Sequence, residues 1–121
     1  MEILFIIGEV IFGLYFIYNG YSHFKHNAGL TGYAKSKGVP MASLSVYTTG
    51  AMLLFGGLSL ITGYFVIAGL WVLILFMIPT TIMMHDFWKE TDPNARMNQT
   101  IGFTKNMAIV GALLMLLGLL S

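Results

Sequence analysis

The sequence predicts an all-α protein, a four-transmembrane-helix antiparallel bundle that forms a single integral membrane domain over residues 1–121. Two observations carry this: charge is scarce, and the uncharged stretches are as long as a membrane is thick. Only 9% of the chain is charged and 57% is hydrophobic, with mean hydropathy +0.80. A soluble domain carries about 25% charged residues, because its helices need a polar face against water. No Asp, Glu, Lys or Arg occurs between Val39 and His85. That stretch holds two helices and a turn, and a water-soluble bundle could not cover every side of both.

A hydrocarbon core about 30 Å thick takes about 20 helical residues, at about 1.5 Å each. Four segments fit, at about 3–21, 41–61, 64–84 and 102–120. The first lacks the basic leader and small-residue cleavage site of a signal peptide, so a retained helix is expected. Gly38-Val39-Pro40 closes the first loop and sets proline just ahead of the second helix. Within that loop a short interfacial helix is expected around 30–36. Thr62-Gly63 leaves only a tight turn, so the second and third helices form a hairpin. Pro79 is expected to kink the third helix and free the Leu75 carbonyl. Asp92-Pro93-Asn94 reads as a turn ahead of the fourth helix. Helices rather than a barrel follow from these long runs, since lipid leaves no backbone polar group unpaired.

Orientation follows from the basic residues. Lys25, Lys35, Lys37, Lys89, Arg96 and Lys105 all lie in or beside the first and third loops, with none at the termini or at Thr62-Gly63. The positive-inside rule then puts loops 22–40 and 85–101 in the cytoplasm and both termini outside a cell membrane. Tyr18, Tyr21, Phe87 and Trp88 suit the interfacial aromatic belt.

Several chemistries are excluded. A formal net charge of +1 gives no basic surface for nucleic acid, and zero cysteines rule out disulfides, thiol catalysis, CxxC haem attachment and cysteine-held zinc or iron–sulfur. His23, His26 and His85 could together supply three nitrogens, but no HExxH and no acidic helper beyond Asp86 accompanies them, so no metal is expected. A b-type haem needs facing histidines deep in the bundle, whereas these lie near its end. The nine methionines read as packing. No Walker motif, nucleophile triad, carboxylate pair or dinucleotide fingerprint is present.

Two features remain for function. Glu9 is the only carboxylate inside a predicted span, and shares a helical stripe with Gly13, Phe16, Gly20 and His23. An intramembrane charge usually faces the bundle, which makes Glu9 a relay or binding group; the alternative is a carboxylate reaching the outer headgroups. The second feature is a set of polar residues at the cytoplasmic end: Asn19, His23, His85, Lys105 and Asn106, with Asp86 beside them. Helices one and three end, and helix four begins, on that side, so these groups could meet at one depth. His85 extends a stripe of Trp71, Ile74, Ile78 and Thr81. Imidazoles and amides among apolar walls suit a quinone head group, and histidine suits proton exchange. The competing reading is structural, with helix-end groups capping carbonyls or joining helices.

These residues resemble the DoxX family of small four-helix membrane proteins. The likeness rests on Asn19-Gly20-x-x-His23-Phe24, Gly38-Val39-Pro40, Gly56-Gly57 followed by Gly63, His85-Asp86-Phe87-Trp88, and Phe103-x-Lys105-Asn106 with Gly111. The resemblance implies a four-helix fold and a link to quinone-dependent oxidoreductase complexes. The chain departs from the family pattern where relatives place Arg near Glu9 and Glu before the paired glycines. Here the latter region reads Thr48-Thr49-Gly50-Ala51-Met52, so no function resting on that charge pair is expected.

The function expected is therefore a membrane subunit of a quinone-linked oxidoreductase system. His23, His85 and Asn106 would contact the head group, and Lys105 would stand near a developing negative charge. The alternatives are a non-enzymatic assembly, chaperone-like or anchoring protein and, third, a small-solute or proton carrier using Glu9. The partners expected are the lipid bilayer, a quinone, and other membrane-associated subunits or further copies of the chain.

Overall fold

The computed structural model describes residues 2–121. Five α-helices follow in order: α1 (Glu2–Lys25), α2 (Asn27–Ser36), α3 (Ala42–Thr62), α4 (Val66–Met84) and α5 (Pro93–Leu120), with a 3-10 turn at Phe87–Lys89 before α5. Four of them, α1, α3, α4 and α5, are long and apolar enough to cross a membrane. The short α2 lies at the end of the bundle where α1 and α4 finish and α5 starts, called the α2 end below.

The long helices pack in the order α1, α3, α4, α5, with α1 and α5 outermost. Accordingly α3 and α4 are the better buried pair. Glycines set the α1–α3 contact. The buried residues of α1 are Gly13, Phe16 and Gly20, the middle of the stripe that also holds Glu9 and His23. A Cβ on Gly13 would stand 2.8 Å from the Gly57 carbonyl, and one on Gly20 would stand 2.9 Å from the Gly50 carbonyl. Each helix thus offers two glycines two turns apart, and their backbones approach with nothing between them. Between α3 and α4 the same device recurs, with Leu73 seated over Gly56 and Ser59 over Gly69. The Ser59 hydroxyl donates to the Gly56 carbonyl at 2.8 Å, so it is buried but satisfied. Phe16, Leu53, Leu60, Leu70, Leu73 and Leu113, drawn from all four long helices, form one core.

Helix boundaries differ from the hydropathic segments where hydrogen bonding outruns lipid. α1 continues to Lys25, which keeps His23 helical. α5 begins at Pro93 rather than near residue 102, because the Asp92 carboxylate accepts the Ala95 N–H at 2.9 Å and proline occupies the first turn. The Asp92-Pro93-Asn94 signature is thus a helix start. α4 begins at Val66 rather than Tyr64, since reversal of the chain uses left-handed conformations at Gly63 (φ 78°) and Phe65 (φ 56°). The expected helix in the first loop is present and longer, starting at Asn27.

Candidate functional site

A cavity of about 490 Å³ opens inside the bundle towards the α2 end, within the range of about 300–1,000 Å³ typical of small-molecule sites. All five residues of the polar set line it: Asn19 and His23 from α1, His85 after α4, and Lys105 and Asn106 from α5. Glu9 does not line it. It is half-buried on α1, and no hydrogen bond or ion pair joins it to another described residue.

Their hydrogen bonds divide the five by role. Asn19 donates an amide N–H to the Tyr15 carbonyl at 2.7 Å, one turn back on its own helix. His23 Nδ1 donates to the Val46 carbonyl at 3.0 Å, with the Thr49 hydroxyl also 3.0 Å from that nitrogen. A proton on Nδ1 leaves Nε2 of the neutral ring as an acceptor. Gly50 permits the approach, since a Cβ there would stand 2.7 Å from His23 Cβ. His85 is held likewise: Nδ1 donates to Gln99 Oε1 at 2.9 Å. The Gln99 amide donates to the Tyr33 hydroxyl at 2.7 Å, and that hydroxyl donates to the Met84 carbonyl at 2.6 Å. Lys105 and Asn106 make no side-chain hydrogen bond or ion pair among the described residues. Both imidazoles are therefore held in a fixed orientation, and the Lys105 and Asn106 side chains are free to meet a ligand.

His85 reaches the cavity by leaving its helix. It sits past the end of α4 at φ −119°, ψ 54°, so it does not extend the stripe of Trp71, Ile74, Ile78 and Thr81. None of those four lines the cavity; Phe76, Thr80, Met83 and Met84 do. Pro79 and Leu75 also line it, placing the proline inside α4 at its wall.

Three groups were not foreseen. Tyr33 and Gln99 brace His85. Lys37 forms the third link, its ammonium 2.6 Å from the Asp86 carboxylate and 3.6 Å from Glu90. The hydrogen bond to Asp86 holds the Lys37 ammonium above its ordinary pKa, against the cost of partial burial. The contact pins the end of α2 beside the end of α4, and Leu30, Tyr33 and Ala34 of α2 form part of the cavity wall. Phe87 and Trp88 of the 3-10 turn stack edge to face with each other and with Phe103, fastening that turn to α5. Among the described residues no three His, Asp or Glu side chains gather as a metal site would require.

With this geometry in place, comparison with known proteins is informative at the level of family. The DoxX family model matches residues 4–86, which takes in α1 to α4 and ends at Asp86. The chain belongs to the DoxX family. It is accordingly a multi-pass membrane protein, and the four long helices are its membrane-spanning elements. Lys105 and Asn106 of this DoxX protein lie on α5, beyond the matched residues. No curated protein and no solved structure matches it.

Proposed function

We propose that this DoxX protein is a membrane subunit of a quinone-linked oxidoreductase system and that its cavity holds the quinone head group. The reading rests on one observation: five polar side chains from three separate segments face one largely apolar chamber, two of them histidines already oriented by hydrogen bonds to neighbouring elements. His23 Nε2 is an acceptor, and the Asn106 amide and Lys105 ammonium are donors. Such a set suits a ring with an oxygen at each end, which offers acceptors when oxidised and hydroxyl donors when reduced. Histidine can exchange the proton that accompanies this change. The positive-inside rule supports an orientation with the α2 end in the cytoplasm and both termini outside.

The test is binding of a benzoquinone to purified protein in lipid nanodiscs. We expect saturable binding that weakens about tenfold, or about 1.4 kcal/mol, in His23→Ala and in His85→Ala. No saturable binding, or wild-type affinity in both variants, would sink the proposal.

A second reading, an assembly or anchoring protein, draws support from glycines the fold does not use. A Cβ at Gly111 or Gly118 of α5 would meet nothing, and these two are spaced like the paired glycines of α1 and α3. Loss of a partner complex on Gly111→Leu, with the fold and quinone binding retained, would favour it. The carrier reading rests on Glu9, which stands apart from the cavity.

A further inference from the structure

The two sides of the cavity meet different surroundings. Its aqueous end is narrowed by α2. There the helix lies across it with Tyr33 and Ala34 in the wall, held down by the Lys37–Asp86 contact and the Gln99–Tyr33–Met84 hydrogen bonds. Its lateral side is open. α1 leans on α3 and α5 on α4, while α1 and α5 do not pack closely against one another. Leu75, Pro79 and Met83 line the cavity and are nevertheless exposed on the outside of the bundle, Leu75 to 62%. Leu75 stands about 15 Å along the helix from His85. At that depth on a spanning helix, outside means hydrocarbon. Polar lining is also concentrated at the α2 end, and the deeper wall is built mainly from Phe16, Leu53 and Phe76, with Tyr15 beside them.

We propose that the cavity is loaded from within the bilayer, through the gap between α1 and α5, by an amphiphile rather than by a solute from water. Its ring-sized, oxygen-bearing head sits among His23, His85 and Asn106, and its alkyl or isoprenoid chain leaves past Leu75 and Pro79 into lipid. This rests on the head-group reading above and adds the chain and its route. A molecule with the same ring but no chain gains nothing from the apolar exit, and meets α2 across the watery end.

Two probes test it in nanodiscs: decyl-benzoquinone with a photoreactive diazirine midway along the chain, and the same molecule with the diazirine on the ring. Labelled sites are mapped by mass spectrometry, with and without excess unmodified decyl-benzoquinone. The chain-borne label is expected on the rim, around Leu75, Pro79 and the facing parts of α1 and α5, and excess competitor removes it. Leu75→Trp and Met83→Trp, both at exposed positions that tolerate bulk, are expected to cut this labelling about tenfold. Ile67→Trp, exposed on α4 away from the cavity, leaves it unchanged. Chain label on α2, or rim labelling unaltered in both rim variants, overturns lateral loading while the head-group reading stands. A ring-borne label that misses the cavity, or that competitor does not displace, overturns both.

Discussion

Gly102 has no side chain because His85 occupies the space one would fill. A Cβ there would stand 2.5 Å from His85 Nδ1 and 2.6 Å from Cε1. Gly102→Ala must therefore push the ring off Gln99, and we expect it to weaken benzoquinone binding about as much as His85→Ala, while the thermal unfolding of the detergent-solubilised protein changes little. Unaltered binding in Gly102→Ala would mean that the orientation of His85 is irrelevant to the ligand. Lys37 invites a pH experiment. Its pKa is raised in the folded protein, chiefly by its hydrogen bond to Asp86. The stabilisation is thus fully present below the ordinary lysine value of about 10.4, and is lost as pH climbs through the higher folded value. The protection of α2 amides, taken relative to their intrinsic exchange rate at each pH, should fall over that alkaline window and not between pH 7 and 9. In Lys37→Met, which leaves the Asp86 carboxylate without its partner at a cost of about 1–3 kcal/mol, α2 protection should be low at every pH.

For whole elements, the decisive contact is α1 against α3. Gly20→Leu would drive a branched side chain into the Gly50 carbonyl and Leu54, and Gly13→Leu would do the same at Gly57. Overpacking costs about 1–3 kcal/mol where neighbours can shift, and two backbones in contact can shift little. We expect either variant to lower the unfolding midpoint in detergent and expression in the membrane, whereas Gly118→Leu, with open space at its Cβ, should do neither. Parent-like stability of Gly20→Leu would refute the glycine-to-glycine packing. The seam was legible in the sequence, because Gly13 and Gly20 repeat on one stripe of a helix that has few other small residues. The start of α5 was not. Hydropathy finds where lipid begins, and the mostly polar stretch Asn94 to Thr100 lies before that boundary although its hydrogen bonds are already helical. Asp92→Ala should fray those turns, removing a cap worth about 1 kcal/mol, and with them the support Gln99 gives to His85. The same limit explains the site. Asn19, His23, His85, Lys105 and Asn106 were legible because span ends fix their depth. Tyr33, Gln99 and Lys37 were not, because they meet across three elements whose rotation only packing determines.

For the molecule as a whole, the absence of cysteine makes orientation directly measurable. Single cysteines have no native background, so Thr62→Cys should react with a membrane-impermeant maleimide on intact cells, and Ser36→Cys only after permeabilisation. The reverse pattern would invert the proposed orientation. Two residues, finally, carry a reserve that the protein does not draw on. Met41 and Phe65, at the starts of α3 and α4, hold left-handed backbones at φ 48° and 56° without being glycine. Such a conformation costs an ordinary side chain about 1–2 kcal/mol, more than the roughly 0.4–1 kcal/mol that glycine loses through a freer unfolded chain. Met41→Gly should therefore give a hardier protein than the natural sequence, a practical starting point for crystallisation.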